Sequence, residues 1–157
     1  MKTATVKELK QELNNYGSNE LIAICLRLSK FKKENKELLT YLLYEAQNED
    51  FYIENVKTEI DDQFNAVNTS SYYFIKKSVR KILAFVKKHI RYSGKKETEI
   101  VLLLYFLYKL KTFRPTYKKN VVLTNTFNTQ LNLVRKKLLL LDEDLQYDYG
   151  LEIEKLV

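Results

Sequence analysis

Apolar positions recur at three- and four-residue spacing through most of the chain, the period of helices that bury one face. Thr5-Val6-Lys7-Glu8 forms a capping box, and Gly17 reads as a left-handed stop, so a first helix is expected over about 6–16. Ser18 reads as the cap of a second helix ending near Lys30, with Leu21, Ile22, Cys25, Leu26 and Leu28 as a broad apolar face. Leu38, Leu39, Leu42, Leu43 and Ala46 predict a third helix over about 34–48. Ile53, Val56, Ile60, Phe64 and Val67 predict a fourth over about 50–67. The cap formers Asn68-Thr69-Ser70-Ser71 open a fifth helix that runs to about Tyr92, with Gly94 just past its end. A sixth spans about 96–112 and holds "IVLLLYFLY", which is about half the length of a membrane span. Arg114-Pro115 breaks the chain, because proline disfavours helical geometry in the residue before it. Leu123, Phe127, Leu131, Val134, Leu138 and Leu141 stripe a seventh helix. The acidic tail 142–157 offers one more short helix, with Leu145, Leu151, Ile153 and Leu156 as docking residues.

The expected fold class is all-α, with about seven helices stacked as antiparallel hairpins in a single domain, 1–157. A shift of 64 residues lays "RLSKFKKENKELLTYLLY" (27–44) on "RYSGKKETEIVLLLYFLY" (91–108) with eight identities in eighteen, and "QFNAV" (63–67) falls on "QLNLV" (130–134) three residues further out of step. Such matches suggest a duplicated multi-helix unit, 19–67 and 83–134, hence a short solenoid-like bundle. The competing explanation is chance among abundant Leu, Lys and Tyr. The N-terminal "TVKELKQELNNYG" resembles the first helix of the SAP DNA-binding motif over about a dozen residues. The Gly-Lys turn and second helix of that motif are replaced by "SNELIAICLRLSKF", so its function is not carried over to this chain.

Composition agrees with helices. Three glycines and one proline in 157 residues are too few for a turn-rich β fold. Cys25 stands alone, which excludes an internal disulfide, and "MKTATVKELK" turns polar where a signal peptide turns apolar; a cytoplasmic location is expected.

Charge changes the picture most. The net charge is +7, yet residues 63–141 hold 17 Lys and Arg against Glu97 and Glu99, while the rest of the chain is net acidic. "KKSVRKILAFVKKHIRYSGKK" (76–96) has nine cations and no acid. At about 100° per residue, Lys76, Lys77, Arg80, Lys81, Lys87, Lys88 and Arg91 share one side of the fifth helix with Tyr73, and Ile75, Val79, Ile82, Leu83, Val86 and Ile90 share the other. Like charges at i,i+4 on a helix cost a few tenths of a kcal/mol per pair, so something must offset them. Three candidates are an external polyanion, an anionic lipid surface, and the chain's own acids in the fourth helix (Glu54, Glu59, Asp61, Asp62) or the tail (Asp142, Glu143, Asp144, Asp148). Lys95 and Lys96 adjoin the face, Tyr73 and Tyr92 are placed to stack on bases, and Lys109, Lys111, Arg114, Lys118 and Lys119 are candidate extensions.

Catalytic constellations are thin. One histidine, His89, and one cysteine cannot build an ordinary transition-metal site, and Cys25 reads as an inert core thiol. No glycine-rich phosphate loop exists, and Asp61 and Asp62, adjacent on a helix, point about 100° apart. Tyr41, Tyr44, Tyr105 and Tyr108 read as core-border residues. The expectation is a non-enzymatic helical module, without a cofactor or metal, whose basic face meets nucleic acid or another polyanion without sequence readout. The alternative is a scaffold that binds an acidic protein surface or pairs the acidic and basic segments of two copies.

Overall fold

The computed structural model describes all 157 residues and contains eight α-helices and no strand. The helices are α1 (Val6–Leu13), α2 (Ser18–Phe31), α3 (Lys33–Thr40), α4 (Glu49–Asn65), α5 (Tyr72–Ser93), α6 (Lys96–Thr112), α7 (Val121–Leu138) and α8 (Glu143–Leu156). The contacts gather in two compact units, Met1–Tyr44 and Glu45–Val157.

In the first unit the Thr5–Glu8 capping box forms as expected: Thr5 N–H donates to Glu8 Oε2 at 2.7 Å, and Glu8 N–H donates to Thr5 Oγ1 at 3.3 Å. The Thr5 N–H foremost, and then the Thr5 hydroxyl, which donates to the same Glu8 oxygen at 2.8 Å, hold the Glu8 carboxyl below the usual carboxylate range. Gly17 is not a left-handed stop. Its φ is −75°, and its N–H donates to Glu20 Oε2 at 2.8 Å, so it opens α2 in place of Ser18. α2 and α3 pack as a hairpin, pinned by Asn35 Nδ2 donating to the Leu28 carbonyl at 2.8 Å. The expected third helix is interrupted, because α3 gives way to a wider-wound turn over Tyr41–Glu45. Tyr41, 3 % exposed, is the only buried side chain of this unit.

In the second unit α6 occupies the centre and touches α4, α5, α7 and α8. Its apolar run explains the position: Ile100, Leu102, Leu103, Leu104, Phe106, Leu107 and Leu110 are all buried, and a helix apolar on every side belongs in an interior. Burying each such side chain contributes roughly 1.5–3 kcal/mol. The surrounding helices each present one stripe, Ile53, Val56, Ile60 and Phe64 from α4 and Leu123, Phe127, Leu131, Val134 and Leu138 from α7. Asn48 and Asn120 cap α4 and α7 with their side-chain oxygens. α8 docks through Ile153 and Leu156; Leu145 is half-buried and Leu151 exposed, so the tail uses two of its four expected anchors fully. The two copies of the eighteen-residue stretch meet different surroundings. Leu102, Leu103 and Leu107 are buried, while their counterparts Leu38 and Leu43 are exposed and Leu39 half-buried.

Candidate functional site

α5 is one unbroken helix of 22 residues, about 33 Å long, that ends at Gly94 with φ +66°. Ile75, Val79, Ile82 and Val86 are buried, with Leu83 and Ile90 half-buried beside them, so the predicted apolar arc is the arc sunk into the second unit. On the other side Lys77, Arg80, Lys81, Lys87 and Arg91 carry the cationic arc, with Lys76 half-buried at its edge. None of these six makes an ion pair within the protein. Lys88 is half-buried, with its ammonium 5.8 Å from the centre of the Phe85 ring and 5.9 Å from that of Tyr92. Ala84 lies between Lys81 and Lys87, leaving a short uncharged gap in the face.

Three of the chain's own acids pair with other cations. In α4, Glu54 pairs with Lys57 at 2.8 Å, Asp61 with Lys109 of α6 at 3.0 Å, and Glu49 with Lys95 at 3.0 Å. No carboxylate of α8 pairs with any of the six, and Tyr149 of that helix donates to Glu97 of α6 at 2.8 Å. No carboxylate of the chain thus forms an ion pair with any of these six cations.

Several expected members drop out. Tyr92 is not available for stacking; it is 9 % exposed and meets the His89 ring edge-on at 5.5 Å. Its place on the wheel borders the cationic arc, but its ring joins an aromatic cluster in which His89 of α5 also meets Phe85 of the same helix and Tyr52 of α4. Tyr73 is 66 % exposed and keeps its place beside the cations, with Phe74 edge-on at 5.3 Å. Lys95 is engaged by Glu49, whereas Lys96 is exposed and unpaired. Of the candidate extensions, Lys109 serves Asp61, Lys111 donates to the Lys155 carbonyl at 2.8 Å, and Arg114 binds the carbonyls of residues 111–113. Lys118 and Lys119 stay exposed on a short turn, Tyr117–Lys119. That turn is tied to the start of α5 by Tyr72 Oη donating to the Thr116 carbonyl at 2.8 Å, on the side of α5 that carries the apolar arc.

A groove runs along α6 between α4 and α8. Two adjoining cavities of about 560 and 620 Å³ share Lys57, Val101 and Tyr149 as lining. Sequence reading missed the groove, because it depends on where α8 lies across α6. Its phenols are poorly suited to proton transfer. Burial, then the hydrogen bond to Asp61, holds Tyr105 protonated well above its ordinary range, and burial with Glu97 does the same for Tyr149. Burial would raise the Asp61 carboxyl, but the Tyr105 hydroxyl and Lys109 ammonium together outweigh it and lower it. His89 is enclosed by aromatic rings, with Tyr52 Oη 2.8 Å from its Nδ1. Nowhere do three His, Cys, Asp or Glu side chains gather as metal ligands. No helix is long and apolar enough to cross a membrane.

Cys25 is exposed, not a core thiol, because the apolar face of α2 is uncovered. Tyr44 and Tyr108 are likewise exposed. Comparison with family models, with curated proteins and with solved structures finds no match for this chain.

Proposed function

We propose that the protein binds a polyanion, nucleic acid foremost, through the cationic face of α5, tracking phosphates without reading sequence. The observation that carries this reading is the set Lys77, Arg80, Lys81, Lys87 and Arg91, aligned along one helix side and without an ion pair inside the protein. From Tyr73 to Arg91 the face extends about 27 Å, enough for several successive phosphates. Tyr73 adds a stacking surface at one end. Lys76, Lys88 and Lys96 contribute to the local potential. The role is binding, not catalysis: the phenols of the groove are held protonated, and His89 is enclosed by rings. A cytoplasmic location fits a lone exposed thiol.

Fluorescence anisotropy with labelled DNA and RNA tests the reading. With about five phosphates neutralised, log K should fall against log salt with a slope of roughly −3.5 for single strands and −4.5 for duplex. Glutamine at Lys77, Arg80, Lys81, Lys87 and Arg91 together should abolish the signal and leave helicity intact. Absence of binding at about 50 mM salt refutes the proposal.

A further inference from the structure

We propose that the polyanion held by α5 is single-stranded nucleic acid, one base of which stacks on the Tyr73 and Phe74 rings while the neighbouring phosphates meet Lys77 and Arg80, a ligand class that presupposes the polyanion reading. Tyr73 and Phe74 lie in the first turn of α5 and are 66 % and 42 % exposed. They stand edge-on to one another, with ring centres 5.3 Å apart. Two adjacent open aromatics at the end of a cationic face offer what a base requires, an apolar ring surface within reach of positive charge.

At roughly 100° per residue, Tyr73 falls between Arg80 and Lys77 on the helix wheel and Phe74 falls just beyond Lys81, so the two rings bracket Lys77. Lys77 is exposed and makes no ion pair in the protein. It follows Phe74 by three residues and Tyr73 by four, the spacings at which side chains on a helix are neighbours. Arg80 stands one turn further along on the side of Tyr73, and Lys81 on that of Phe74. The turn that carries the rings is fixed from beneath, because Ile75 is fully buried and Tyr72 Oη donates to the Thr116 carbonyl at 2.8 Å. The stacking surface and its cations are therefore in place before a ligand arrives, which lowers the ordering cost of binding.

Rings and cations together select a strand over other occupants. A partner that covered the rings by apolar contact alone would bury Lys77 beside them without a counter-charge, which is costly. A duplex supplies phosphates, but its base faces are stacked on one another, and reaching one means unstacking a step. A single strand supplies both at once, phosphates for the cations and an open base face for the rings. Every base has such a face, so the contact reads no sequence.

Three probes separate the terms: an oligothymidylate of about 20 nucleotides, a duplex of about 20 base pairs, and inorganic polyphosphate, which has charge and no base. Charge density alone favours the duplex, so the full chain should bind oligothymidylate the tighter of the two, at equal salt, only if a base is stacked. The expected preference is at least roughly fivefold. Tyr73→Ala with Phe74→Ala should weaken oligothymidylate binding by at least about fivefold, keep its salt slope, and leave duplex and polyphosphate binding within about twofold. Tyr73→Phe, which keeps the ring, should bind all three as the native chain does. The native chain's own preference tests the proposal without any variant. Oligothymidylate bound no more tightly than duplex, or a double variant that weakens both by the same factor, overturns this proposal and leaves the polyanion reading standing. No binding of any of the three at about 50 mM salt overturns both.

Discussion

Glu49 holds Lys95: their charged atoms lie 3.0 Å apart, and the second oxygen of the same carboxylate accepts from Ser93 and, at 2.7 Å, from Thr98. One acid in the first turn of α4 therefore fastens the corner between α5 and α6. Lys95 belongs to this clasp and not to the open cationic face. Glu49→Ala should leave the buried Thr98 hydroxyl without its acceptor and lower stability by about 1–3 kcal/mol in urea unfolding. Lys95→Gln should weaken nucleic-acid binding far less than Arg91→Gln, whose effect on stability should stay within about 0.5 kcal/mol. Equal losses of affinity in the two variants would return Lys95 to the binding face.

Asp61 links stability to pH. Tyr105 Oη lies 2.7 and 2.8 Å from its two oxygens, and Lys109 stands 3.0 Å from one of them. The carboxyl is lowered in the folded state, so the folded chain holds fewer protons there than the unfolded chain does. Its contribution is present above the unfolded value of about 3.9 and is lost as pH falls through the folded value. Urea unfolding of Asp61→Asn should show its full deficit at neutral pH, and the gap should close as pH drops below about 4. Tyr105 acts with the opposite sign. Its raised value favours the neutral phenol, so that contribution persists below about pH 10 and disappears as pH rises through the folded value.

What the sequence disclosed follows from how local each feature is. The capping box at Thr5 and Glu8, the stop at Gly94 and the one-sided wheel of α5 are set within a few turns of chain, and each stands as expected. The central place of α6 could be read because "IVLLLYFLY" leaves no polar side to face water. Cover is a different matter. Ile22, Cys25 and Leu26 have the same spacing as core residues, and only packing decides that nothing in the unit lies on them. Tyr92 failed for the reverse reason, since a position bordering the cations is buried in an aromatic cluster in which His89 meets both Tyr92 and Tyr52 of α4. The groove along α6 was equally hidden, because no periodicity states that α8 crosses beside α4.

Two glycines should respond oppositely to alanine. Gly94 has open space where a methyl group would sit but a φ of +66°, so Gly94→Ala should destabilise by about 1–2 kcal/mol through backbone strain alone. Gly150 lies within α8 at an ordinary φ, also with open space. There alanine should stabilise by roughly 0.4–1 kcal/mol, chiefly by restricting the unfolded chain. Urea midpoints that move in the same direction for both would contradict this account.

Gln130 is the odd member of the α7 stripe. It is 4 % exposed among Leu123, Phe127, Leu131 and Val134, and its Oε1 has no hydrogen-bond partner in the protein. Leaving a buried acceptor unmade costs about 1–3 kcal/mol, more than the side chain's packing loses on exchange for a leucine of similar volume. Gln130→Leu should therefore raise the stability by about 1 kcal/mol, read as a higher urea midpoint at unchanged slope. Gln130→Glu should lower it by several kcal/mol at neutral pH, because the same site would then bury an unpaired charge. If leucine proves destabilising by more than about 1 kcal/mol, the amide is satisfied by bound water, and the polar position in α7 is a hydrated one.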